Sequence, residues 1–106
     1  MQIIRGTTPT ITVNVLSEID LTTVTQVWLY ISQQNKVKID KIIEDVTFDT
    51  EHRKISVLLS QEDTLALKAD IDTLFQIRLL LEDDTALATT ASKVKVVEVY
   101  KGGVIQ

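Results

Sequence analysis

The chain has 106 residues, 44% of them hydrophobic and 25% charged, with one Pro, three Gly and no Cys. That composition fits one globular domain over residues 1–106 and excludes collagen-like or linker-like chains, disulfides, thiolate metal sites and a cysteine nucleophile. The formal net charge of −4 sets the average surface against a phosphate backbone, so no nucleic-acid partner is expected.

The opening MQIIRGTTPT has no cationic stretch leading into an apolar run, and no signal peptide is expected. No window approaches the ~18 apolar residues of a membrane span, so no membrane insertion is expected. QIIRG, residues 2–6, reads as an initial or edge strand stopped by Gly6. TITVNVL, residues 10–16, alternates with Ile11, Val13 and Val15 on one face, the period of a half-buried strand. SEIDLTT, residues 17–23, reads as a loop from which Leu21 tucks back onto the core edge.

QVWLYISQ, residues 26–33, is a strand with Val27, Leu29 and Ile31 on one face and Trp28 and Tyr30 on the other. Either both faces are covered, or the aromatic face is open. A turn at residues 34–36 and the strand VKIDKII, residues 37–43, with Val37 and Ile39 inward, complete a hairpin. A second hairpin runs from Val46 and Phe48, through the polar loop 49–53, to Ile55, Val57 and Leu59.

The phrase LSQEDTLAL is of a different kind. Ser60 is an N-cap residue, Asp63 stands three positions on, and Glu62 and Asp63 suit the positive end of a helix. A short helix is therefore expected over residues 60–68, its leucines capping an open end of a sheet sandwich. TLFQIRLLLEDD, residues 73–84, reads as a central, well-covered strand with Phe75, Ile77, Leu79 and Leu81 on one face. Residues 86–100 read as one long strand whose parity changes near Val96 and Val97, which a β-bulge there or burial on both faces would explain. The tail KGGVIQ reads as frayed or as an added edge segment.

Little in the chain points to catalysis. His52 is the only histidine and lies in a polar loop, without neighbours at metal-ligand spacing. Asp70, Asp72, Glu82, Asp83 and Asp84 lack the Gly-containing pattern of a calcium loop and read as solvated turn carboxylates. Gly102-Gly103 follows the last strand and opens no phosphate loop, and no serine sits in an elbow context. The one stretch suited to binding is Trp28 with Tyr30, two aromatics on one strand face.

QIIRGTTPTITVNV, LSQEDTLALK and LFQIRLLLEDDTALATTASKVKVVEVYKGGVI together resemble a group of small proteins from phages and prophages of Gram-positive bacteria, grouped with tail or baseplate genes. The opening also resembles the N-terminal domain of phage baseplate upper proteins. Arg5, Gly6 and Thr7 match the opening motif, Ser60 to Asp63 match the helical cap, and Gln76 and Arg78 match a QIR strand followed by the turn at residues 82–85. The long helical or receptor-proximal extension of the larger baseplate proteins is absent from these 106 residues. The resemblance implies an immunoglobulin-like β-sandwich and an assembly role, and it carries over no catalytic residue.

The expectation is thus an all-β, immunoglobulin-like antiparallel β-sandwich with one short helix near residues 60–68. Its core holds Ile11, Val13, Val15, Val27, Leu29, Ile31, Phe48, Ile55, Val57, Leu65, Phe75, Ile77, Leu79 and Val96. The expected role is that of a non-enzymatic tail or baseplate-like structural protein, in the virion or in the bacterial cytoplasm as a prophage product. It needs no cofactor or metal, and its partners are other phage structural proteins or itself. Trp28, Tyr30, Arg5 and Arg78 are the candidate interface residues. The rivals are a carbohydrate- or cell-surface-binding module centred on Trp28 and Tyr30, and a small enzyme gathering Asp72, Glu82 or His52.

Overall fold

The computed structural model describes residues 1–15, 18–89 and 91–99. The alternating segments become strands: β1 (Gln2–Ile4), β2 (Thr10–Asn14), β3 (Val24–Gln33), β4 (Lys36–Ile42), β5 (Val46–Asp49), β6 (Lys54–Leu58), β7 (Thr73–Leu81), β8 (Ala86–Ala88) and β9 (Ser92–Val97). The one α-helix among the described residues is α1 (Gln61–Leu65), between β6 and β7, and short 3-10 turns lie at Leu21–Thr23 and Ile43–Asp45. Expectations for Leu16, Ser17, Tyr100 and the tail 101–106 fall outside the described residues.

The strands form two sheets packed as a sandwich. The larger runs β1-β9-β7-β3-β4, with β8 also on β7; the smaller runs β2-β6-β5. Every pair is antiparallel except β1 with β9, which is parallel, so the all-antiparallel expectation is corrected at one edge. The chain reaches β1 from the other end of the sequence, and a hairpin does not dictate its direction.

The hairpin registers follow from their turns. Gln34 and Asn35 both take positive φ, 52° and 63°, the pattern of a two-residue type I′ turn whose twist matches the strands it joins. Ile31 then faces Ile39, but Ser32 faces Val37, leaving Lys38 as an extra residue. This bulge turns Val37 outward, where it is 58% exposed, against the expectation that it shares the inner face with Ile39.

The last strand is also interrupted, but not at Val96 and Val97. β7 pairs with β9 over Thr73–Phe75 and with β8 over Arg78–Leu80, and the break lies between Ala88 and Ser92. Thr89 spans it: its N–H donates to the Ile77 carbonyl (3.0 Å), and its hydroxyl oxygen accepts from the Ile77 N–H (3.2 Å). A side chain thus supplies the acceptor that the ladder lacks there. Val94 and Val96 keep one parity and are both buried.

The core lies between the sheets. Ile11, Val27, Leu29, Ile31, Ile55, Val57, Phe75, Ile77, Leu79 and Val96 are buried as expected, while Val13, Val15 and Phe48 pack against the core half-buried. Leu65 is only half-buried; Leu67, just past α1, takes its place, and Thr64 is the fully buried residue of the helix itself. Ile3, Leu21, Ile39, Leu59 and Val94 complete it. Burying such side chains contributes roughly 1.5–3 kcal/mol each before chain entropy is counted.

α1 is too short to persist alone. Its start is a complete capping box: Ser60 Oγ accepts from the Asp63 N–H (3.0 Å) and Asp63 Oδ2 accepts from the Ser60 N–H (2.9 Å). Long arms from opposite edges of the large sheet then reach it. Lys41 of β4 meets Asp63 Oδ2 at 2.9 Å. Arg5, just past β1, donates from Nε to the Leu67 carbonyl (2.7 Å) and from Nη2 to the Leu65 carbonyl (3.0 Å). The helix therefore closes one end of the sandwich, as the leucine pattern of LSQEDTLAL suggests.

Candidate interaction surface

The outer face of the large sheet can be read off the registers, since paired residues share a face. One row across the strands is Ile42, Trp28, Arg78 and Ala88; the next is Asp40, Tyr30 and Gln76; a third is Val37, Ser32, Leu74 and Lys93. Ile4 lies on the same face at the β1 edge, opposite Val97. No helix or strand of the described residues covers this face.

Its exposure is unusual in kind. Seven large apolar side chains are exposed among the described residues: Met1, Ile4, Trp28, Val37, Ile42, Leu58 and Leu74. Five of them, Ile4, Trp28, Val37, Ile42 and Leu74, lie on this one face, whereas singly scattered apolar side chains would need no explanation. Trp28 is 39% exposed. The open alternative for the aromatic strand face is therefore the one observed. The expected cover over the mixed face of β7 is absent: Leu74 and Arg78 are exposed and Leu80 is half-buried.

The centre of the face is ordered. The Arg78 guanidinium lies 5.6 Å from the centroid of the Trp28 ring, within cation–π range. The Tyr30 hydroxyl donates to Gln76 Oε1 at 2.5 Å, and the Gln76 amide donates to the Thr89 carbonyl at 2.6 Å. Trp28, Tyr30, Val37, Asp40 and Arg78 line a shallow depression of about 250 Å³. An indole fixed by a cation on one side loses less rotamer freedom on binding than a free one.

The four candidate interface residues are thus not brought together. Trp28, Tyr30 and Arg78 adjoin on the outer face. Arg5 belongs to the helix closure, where its third contact is Nη1 to Glu98 at 2.5 Å. Its guanidinium is committed to two main-chain carbonyls and a carboxylate within the fold. Glu98 is held below the usual carboxylate range, chiefly by the Val99 N–H and then by Arg5.

The groups weighed for catalysis are dispersed. Asp72 precedes β7 and Glu82 follows it, so they stand about 30 Å apart at some 3.3 Å per residue. His52 pairs with Asp49 at 2.9 Å in the β5–β6 turn, and the His52 N–H and ring hold Asp49 below its ordinary range. Asp70 and Asp72 line an open groove of about 770 Å³ beside Lys93 and Lys95. Among the described residues, no three His, Cys, Asp or Glu gather where a metal ion would be held. No described helix is long and apolar enough to cross a membrane.

Sequence reasoning missed Ile42, Val37, Leu74 and Ile4 as members of the face. Once β3 and β4 are paired through the two-residue turn, Val37 falls opposite Ser32 on the Trp28 face, and that register was the available signal for it; Ile42 comes opposite Trp28 only through the bulge at Lys38. The bulge at Lys38 had no such signal. Compared with known proteins, the chain matches no family model and no curated sequence.

Proposed function

We propose that the chain is a non-enzymatic structural protein of a phage or prophage tail or baseplate-like assembly, and that it works through protein–protein contacts on the outer face of its large sheet. The observation that carries this reading is the concentration of exposed apolar side chains around the Trp28–Arg78 pair on one uncovered sheet face. Aromatic and Arg side chains are the usual anchors of such contacts, and the polar Asp40 and Lys93 beside them suit a surface that also meets water. The phage setting, in a virion or in the bacterial cytoplasm, rests on the sequence resemblance. The immunoglobulin-like assignment is part of the same proposal. A strand order of β2-β6-β5 against β1-β9-β7-β3-β4 supports it, with the chain crossing between the sheets after β1, β2, β4 and β6.

The test is co-assembly of the purified chain with the virion proteins encoded beside it, followed by light scattering. A stable complex with the wild-type chain, lost in Trp28→Glu, is the expected result. Failure with every neighbouring virion protein removes the proposal. A second reading, a carbohydrate- or cell-surface-binding module, is favoured by the depression that Trp28 and Tyr30 line with Asp40 and Arg78. It predicts saturable quenching of the single tryptophan by an oligosaccharide, with no protein partner present.

A further inference from the structure

The edges of the two sheets are guarded unequally. β4 carries Lys36, Lys38 and Lys41 and a bulge; β1 and β8 have three residues each; β5 has four and ends in Asp49. Short strands, lysines and bulges are the means by which sheet edges avoid pairing with other chains. β2, Thr10–Asn14, has none of them. It is five residues long, regular and uncharged, and the nearest charged residues along the chain are Arg5 and Glu18. Among the described strands, β6 is its one neighbour.

The hydrogen bonds show which groups the free edge offers. The β2–β6 register runs from Thr10 opposite Leu58 to Asn14 opposite Lys54. It continues at both ends, where the Pro9 carbonyl accepts from the Leu59 N–H and the Val15 N–H donates to the Arg53 carbonyl, each at 2.9 Å. Bonded pairs alternate in an antiparallel ladder. Pro9, Ile11, Val13 and Val15 therefore turn their main-chain groups toward β6, while Thr10, Thr12 and Asn14 present theirs outward.

We propose that this edge pairs with the same edge of a second copy of the chain, antiparallel about a two-fold axis at Thr12. The pairing joins two three-stranded sheets into one of six strands. The register follows from the free groups. Centring on Thr12 puts Thr12 opposite Thr12 and each Thr10 opposite Asn14, so all three offering residues of both chains are used. A slip by one residue aligns offering groups with groups already bonded to β6, and a slip by two leaves one offering residue without a partner.

The side chains agree with that register. On the outer face the opposed residues are Thr with Thr and Thr with Asn, which hydrogen-bond and carry no charge. On the inner face Ile11 stands opposite Val13, a favourable β-branched pair, and Val13 is the residue left half-buried in the free chain. A dimer made by so short a strand is weak, in the class of interfaces that bury less than about 1,200 Å². It is independent of the outer face around Trp28.

The test is sedimentation or light scattering over a concentration series up to about 1 mM, which reaches even weak association, for the wild type, Thr12→Glu, Thr12→Lys, Trp28→Glu and an equimolar mixture of the two Thr12 variants. Thr12 is exposed, so neither of its substitutions disturbs the core. The wild type and Trp28→Glu are expected to dimerise alike. Each Thr12 variant alone is expected to dimerise about two- to fivefold more weakly, since like charges meet on the axis. Mixing them is expected to restore the dimer. A wild-type chain that stays monomeric overturns the proposal, including one whose β2 edge instead takes a strand from a different protein. So do Thr12 variants that dimerise like the wild type, and a mixture that does not recover.

Discussion

Removing the Arg5 guanidinium tests whether the opening motif serves the fold or a partner. In the structure, Nε and Nη2 donate to the Leu67 and Leu65 carbonyls at 2.7 and 3.0 Å, at the end of α1 where no intrahelical donor remains. The Arg5 side chain is 24% exposed, so water reaches these carbonyls only in part once the arginine is gone. Two charge-assisted bonds at about 1–2 kcal/mol each give a loss of roughly 2–4 kcal/mol for Arg5→Ala. At an unfolding entropy of about 2.1 cal/mol/K per residue, that lowers Tm by roughly 9–18 °C. Arg5→Lys recovers only part, because an ammonium does not reproduce the fork that spans two carbonyls. Glu98→Gln has little effect, because that carboxylate is 56% exposed and its ion pair is screened. The assay is urea unfolding followed by far-UV circular dichroism. An Arg5→Ala chain as stable as the wild type, or no less stable than Glu98→Gln, refutes the reasoning and returns Arg5 to the pool of free interface residues.

Two further substitutions probe the same closure. Burial raises the Asp63 pKa, but the Lys41 ammonium and the Ser60 N–H and hydroxyl outweigh it and hold the carboxyl below its ordinary range. Its stabilisation is therefore present above the unfolded-state value of about 3.9 and is lost as pH falls through the lower folded value. Asp63→Asn is expected to cost about 1 kcal/mol at pH 7 and progressively less as the pH is lowered below the unfolded-state value, read by thermal unfolding across that range. Gln33 is 1% exposed and bonds the Lys68 carbonyl (2.7 Å), the Lys68 N–H (3.0 Å) and Thr73 Oγ1 (2.9 Å). Gln33→Glu places a carboxylate against the Lys68 carbonyl and is expected to cost about 2–4 kcal/mol at pH 7, less toward pH 4 as the buried acid protonates and regains a donor. Trp28→Ala, on the open face, is expected to change stability by no more than about 1 kcal/mol by the same unfolding assay.

The parts of the fold that were legible in the sequence are those where one local rule governs. Val27, Leu29 and Ile31 alternate without interruption and are buried; Ser60 and Asp63 have the capping spacing and cap. The misreadings fall where two rules compete. Val37 sits beside a bulge that reverses parity, and no residue in VKIDKII marks it. Residues 86–97 look like one strand because Thr89 replaces a ladder bond with its hydroxyl, a substitution invisible to hydropathy. Leu67 rather than Leu65 enters the core because α1 ends early.

For the candidate surface, sequence isolated Trp28, Tyr30 and Arg78 as chemistry but left open whether their face was covered. That depends on which strands neighbour β3 and β7, and non-local pairing is not written in either strand. Arg5 was grouped with them on its matching motif. Only the tertiary fold shows its guanidinium turned to the end of α1.

The most direct test of the central proposal, that the outer face of the large sheet is the contact surface, uses the single tryptophan. The chain is labelled with 5-fluorotryptophan, and the fluorine resonance of Trp28 is recorded alone and with each partner protein of the proposed assembly in unlabelled form. The account predicts one solvent-sensitive resonance for the free chain, shifted and broadened in a complex that Trp28→Glu does not form. A complex that leaves the Trp28 resonance unchanged would contradict it.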